Sequence, residues 1–103
     1  MDIPRRPSGN YRPNRRTIDV AGMLLVDGDL VQVRLKDISR DGAKLLLSYP
    51  VLTGTAVELR VHGARVPALV QWHRDLFVGL RFLDRLEREV LALLEGLDDD
   101  IFD

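Results

Sequence analysis

Residues 57–82 read VELRVHGARVPALVQWHRDLFVGLRF, and their rhythm decides the fold class. Val57, Leu59 and Val61 alternate with Glu58, Arg60 and His62, the two-residue period of a strand with one buried face. His62-Gly63-Ala64 suits a hairpin tip. Arg65 to Trp72 and Leu76 to Phe82 alternate again, joined by His73-Arg74-Asp75. Toward the N-terminus, Leu30 to Lys36 sets Val31, Val33 and Leu35 on one face and Gln32, Arg34 and Lys36 on the other. Thr17 to Val26 reads as a strand ended by the turn Asp27-Gly28-Asp29. Ala43 to Leu47 is a short apolar strand after the turn signal Asp41-Gly42, and Ser48 to Gly54 is a loop containing Pro50. Six short strands with brief turns predict a mainly β domain, an antiparallel barrel or sandwich. Closure into a barrel would remove the exposed edges.

Beyond Phe82 the period lengthens. Leu86, Val90, Leu93, Leu94 and Leu97 fall at helical spacing, and Asp84 with Glu87 three residues on resembles a capping box. The pattern predicts a C-terminal helix over 84–97, its leucine stripe laid on the β domain. An acidic tail, residues 98–103, follows.

At 103 residues the chain is expected to form one domain. It is 46% hydrophobic, enough for a core, and 30% charged. It has no cysteine, which excludes disulfides, thiolate metal sites and cysteine nucleophiles, and fits a reducing cytosol. No apolar run approaches the roughly 20 residues that cross a bilayer, and the first residues lack the apolar core of a signal peptide. The expectation is a soluble cytoplasmic protein with no membrane insertion.

Charge is spread unevenly although the formal net charge is -1. Arg5, Arg6, Arg12, Arg15 and Arg16 crowd the first segment, opposed only by Asp2, while acids crowd the last. Pro4, Pro7, Pro13 and Gly9 leave that segment little to bury, so residues 1–16 are expected to form a mobile basic arm, with the β domain at 17–83. A basic end of this kind often has an anion to bind, although solvated tails are the commoner outcome. Arg12 and Arg16 are four apart, and Pro13 forbids a regular helix between them. Arginine's planar fork grips phosphate, reaches the O6 and N7 acceptors of guanine and stacks on its face.

A second short stretch carries complementary chemistry. DISRDG, residues 37–42, lies at a predicted turn between strands. Asp37 and Ser39, two apart, project to one face of an extended segment, with Ile38 free to anchor in the core. Gly42 permits positive φ or close approach by another molecule. A carboxylate at Asp37 can accept from the N1 and N2 hydrogens of guanine. An ordinary turn, with Asp37 and Ser39 capping local amides, explains the hexapeptide as well.

These two stretches resemble the signatures of PilZ domains. RPNRR (12–16) is similar to their RxxxR pattern through Arg12 and Arg16, and DISRDG to their D/N-x-S-x-x-G pattern through Asp37, Ser39 and Gly42. Twenty residues lie between Arg16 and Asp37, as in the family, and VQWHRDLFVGLRF looks like its closing hairpin. The likeness spans Tyr11 to about Asp84, and the terminal helix fits stand-alone members. It implies a six-stranded antiparallel β-barrel and a receptor for cyclic di-GMP, the bacterial second messenger, with no metal. By motif position Arg12 and Arg16 would hold guanine and phosphate, Asp37 and Ser39 would bond the ligand from the barrel, and Gly42 would leave room for it. Trp72 stands where some members offer an aromatic face to a base; a half-buried core Trp is the other reading. Arg15 is an extra phosphate contact or a solvated residue. Tyr11 precedes RxxxR where members that take up a stacked ligand dimer often have another Arg, which tilts the expectation toward one ligand molecule. Arg5, Arg6 or Arg15 can compensate, so the stoichiometry stays open.

The implied mechanism is a switch. Ligand orders the arm over the barrel, at an entropy cost offset by charge-assisted bonds, and so changes the contact with a downstream protein. The rivals are a PilZ protein adaptor that binds no nucleotide and a small single-stranded nucleic-acid-binding barrel. The pI near 6.1 and the few strand aromatics argue against nucleic acid. An enzyme is not expected: His62 and His73 sit apart in strand or turn settings, and Ser39 lacks a G-x-S-x-G elbow. Asp98-Asp99-Asp100 lacks an EF-hand pattern.

Overall fold

The computed structural model describes residues 16–97, with side chains from 17 onward. The basic arm with Tyr11, Arg12 and Arg15, the side chain of Arg16 and the acidic tail therefore lie outside the described residues. Within them the alternating stretches become β1 (Arg16–Val26), β2 (Asp29–Ile38), β3 (Gly42–Leu46), β4 (Ala56–Val61), β5 (Ala64–Arg74) and β6 (Phe77–Phe82). They close into a barrel in the order β1-β2-β3-β6-β5-β4, every pair antiparallel, so the barrel expectation holds over the sandwich. Three hairpins turn on two-residue loops, and in two of them, Asp27-Gly28 and His62-Gly63, both residues have positive φ (50° and 87°, 47° and 88°). That geometry matches the right-handed twist of the flanking strands.

Alternation fills the barrel as expected. Leu24, Leu35, Leu45, Leu59 and Val70 each come from a different strand and are fully buried. Each contributes about 1.5–3 kcal/mol by leaving water. Val51, in the loop after β3, adds to the same core.

The helix is shorter than its pattern predicts. α1 spans Arg88–Glu95, with Glu87 rather than Asp84 at the N-cap position. The reason lies at Leu86. Its side chain is buried, its amide donates to the Arg40 carbonyl (2.8 Å), and its own carbonyl accepts from Arg40 Nε (2.6 Å). A backbone committed at both groups to another turn cannot also serve a helix ladder. The leucine stripe also rotates. Leu94 is fully buried, and Val90, Leu91 and Leu97 pack against the core, while Leu93 is 57% exposed. At about 100° per residue, Leu93 lies some 90° from the centre of that face.

Candidate functional site

The ends of β1 and β2 bring the two sequence signatures together. Arg16 pairs with Ile38 and Thr17 with Asp37. Cross-strand partners lie about 4.5–5.5 Å apart, so the last residue of RPNRR enters the barrel directly beside DISRDG. The other residues of that arginine segment are not placed.

Two β-bulges then decide which side chains face outward. Counting along β2, Val31, Val33 and Leu35 face inward, and strict alternation would turn Asp37 inward after them. Instead the register slips at Lys36: Leu35 pairs with Leu45, but Asp37 pairs with Lys44. The extra residue reverses the parity, so Asp37 faces out and Ile38 is fully buried. β5 repeats the device. Val66, Ala68 and Val70 point inward, but the register slips at Gln71, and Trp72 pairs with Gly79. Trp72 is therefore on the outer face, 38% exposed, and not in the core.

The result is one lateral row across five strands: Thr17, Asp37, Lys44, Gly79, Trp72. With strands about 4.8 Å apart, Asp37 and Trp72 stand roughly 14 Å from one another on the same side. Gly79 supplies the room. A Cβ there would overlap the indole of Trp72, which lies against the glycine backbone. Lys44 Nζ sits 5.4 Å from the centre of the Phe77 ring, a cation–π contact at the lower border.

Ser39 and Gly42 have structural work of their own. Ser39 is 7% exposed. Its Oγ accepts from the amides of Asp41 (3.2 Å) and Gly42 (3.3 Å), and its amide donates to the Gly42 carbonyl (2.9 Å). Gly42 has no positive φ. A Cβ on it would strike the Leu80 carbonyl oxygen of β6, so the close approach it permits is that of its own barrel. The two residues between them tie the turn down: Arg40 holds Leu86, the Asp41 carbonyl accepts from Phe82, and Arg85 Nε bonds Asp41 Oδ1 at 3.0 Å.

An ion cluster borders the row beside β1. Asp19 Oδ1 accepts from Arg34 Nε at 2.8 Å and lies 3.4 Å from Lys36 Nζ. The Arg34 bond holds the Asp19 carboxyl below its ordinary range, opposed by partial burial and helped by Lys36.

Comparison with protein-family models matches residues 10–97 to the PilZ domain. The chain belongs to the PilZ family. No curated protein sequence matches it. PilZ domains are binding and adaptor domains of a type associated with cyclic di-GMP, and some bind no nucleotide. The match takes in both signatures. Among the described residues of this PilZ domain there is no cluster of acids and histidines arranged to hold a metal, and no helix long and apolar enough to cross a membrane.

Several residues of this face were not singled out by sequence reasoning: Lys44, Gly79, Arg81 and the Arg40–Leu86 tie. Alternation already sets Lys44 and Arg81 opposite their buried neighbours, but their company depends on strand order, which no short motif records. The PilZ barrel also carries a larger hollow, about 810 Å3, over residues 21–23, 32–34 and 46–48. It contains none of the signature residues. Size alone is a weak guide here, so the joined signatures mark the candidate site.

Proposed function

We propose that this PilZ domain is a cyclic di-GMP receptor that binds its ligand on the outer face of β2, β3, β6 and β5, at the root of the RxxxR segment. The single observation that supports the reading is the β1–β2 pairing of Arg16 with Ile38 and Thr17 with Asp37, which sets the end of one signature against the other. Arg12 and Arg16 grip phosphate and guanine through their forks. Asp37 accepts from the Watson–Crick edge of guanine, Ser39 and Gly42 shape the turn that presents it, and the Trp72 face takes a base. Arg15 adds a phosphate contact. Tyr11, in place of a further arginine, favours one ligand molecule per domain. Ligand draws residues 1–16 onto the barrel, and the surface so formed changes the contact with a partner protein.

Calorimetric titration with cyclic di-GMP tests this, beside an Arg16→Ala, Asp37→Ala double variant and with cyclic di-AMP as control. Saturable binding, lost in the variant and absent for the adenine analogue, is the expected result, with a stoichiometry near one. No heat with cyclic di-GMP at any practical concentration would sink the reading. One observation favours the adaptor reading instead: the contacts of Ser39 and Gly42 are both satisfied within the fold. An adaptor would give no heat with either nucleotide.

A further inference from the structure

Arg81 is a cation of this face that neither signature includes. Its backbone pairs with Gly42 on one side and with Leu69 on the other, and its side chain is exposed on the outer face. Half of the arginines whose side chains are described are engaged. Arg34 holds Asp19, Arg40 holds the Leu86 carbonyl, Arg60 holds Glu58 and Arg85 holds Asp41. Arg81 has no ion pair or side-chain hydrogen bond among the described residues. Arg65, Arg74 and Arg88 share that condition, but none of them lines the hollow at the DISRDG turn.

Gly42 is its cross-strand neighbour, buried and closed over by the Leu80 carbonyl of the barrel itself, and Gly79, two residues back on its own strand, lies under the Trp72 indole. Arg81 also lines a hollow of about 450 Å3 together with Ser39, Gly42 and Gln71. The acid nearest in that hollow, Asp41, is occupied by Arg85. An anion arriving here meets a free guanidinium, a side-chain amide and no uncompensated carboxylate.

We infer that Arg81 is an anion-holding residue of the candidate site, taking one phosphodiester of a nucleotide seated in the hollow it shares with Ser39 and Gln71. The inference rests on the cyclic di-GMP reading and adds to it. A charge-assisted bidentate contact of this kind lowers affinity roughly ten-fold or more when removed.

The test is calorimetry with cyclic di-GMP on the wild type and on Arg81→Gln, Arg81→Lys and Arg65→Gln, each at low and moderate salt. Arg65 is a matched control, an exposed arginine four residues along β5 from Leu69. Expected are wild-type binding, loss of about ten-fold or more in Arg81→Gln with a shallower salt dependence, and a change within about two-fold in Arg65→Gln. Arg81→Lys should keep the salt dependence while regaining only part of the affinity, because it restores charge without the fork. Equal affinities for Arg81→Gln and Arg65→Gln, with the wild type binding, would overturn this inference and leave the receptor reading standing. A silent wild type would overturn both.

Discussion

β2 begins and ends at a turn, and the two turns use glycine for opposite reasons. At Asp27-Gly28 the chain reverses in the open. Gly28 has φ of 87°, and nothing lies within 4 Å of where its Cβ would be. At DISRDG the chain reverses inside a web. Gly42 has no positive φ and no space, because the Leu80 carbonyl of β6 occupies it. The first turn needs a backbone conformation, and the second needs the absence of an atom. A tight turn that serves only to connect strands can stay solvated. The second turn is bonded to β6 and to the approach to α1, and it carries the residues that face outward beside β1.

The contrast can be broken most directly at Gly42. Gly42→Val should destabilise the domain by about 3 kcal/mol, because the atom it meets is backbone and the β3–β6 ladder must part. Urea unfolding measures this, and a loss below about 1 kcal/mol would show that the ladder accommodates the side chain. Ser39→Ala comes next, at about 2 kcal/mol, since two amides lose a buried acceptor. The Gly42 amide, which donates to Ser39 Oγ, should lose protection from hydrogen exchange, whereas unchanged exchange there would dissociate Ser39 from the turn. Gly28→Ala should cost about 1 kcal/mol, through backbone strain alone. A larger loss than Gly42→Val would reverse the comparison.

The smallest effect belongs to the ion cluster beside β1. The folded pKa of Asp19 is depressed, so its contribution is present above the unfolded pKa and lost as pH falls through the folded one. Asp19→Asn should therefore lower stability near neutral pH by less than about 1 kcal/mol, as for a pair with partly exposed members. The gap between the two proteins should close under acid. A gap that stays constant from neutral to strongly acid pH would show that packing, and not charge, holds Asp19 in place.

Much of this fold is legible because its information is local. Alternation marks the strands, and Asp-Gly and His-Gly mark two of the three two-residue hairpins. What escapes is set by pairing between distant segments. No feature of Lys36 or Gln71 announces an extra residue, yet those bulges turn Asp37 and Trp72 outward. The helix starts later than its pattern predicts: Asp84 and Glu87 carry capping chemistry, but Leu86 between them is bound to Arg40 forty-six positions earlier. At the site, the motif spacing points to the neighbours that β1 and β2 join. It does not reveal that Gly42 is constrained by β6, nor that Arg81 stands beside it.

Trp72 is the chain's single tryptophan, and the β5 bulge sets it on the outer face, against Gly79 and at one end of the lateral row. Its ultraviolet emission, excited at wavelengths that the two tyrosines do not absorb, is therefore a built-in reporter of this one position. Any planar molecule that settles on the indole strips water from it and alters both intensity and wavelength. Occupancy of this face can be followed by light, on the unlabelled protein, at concentrations far below those calorimetry requires.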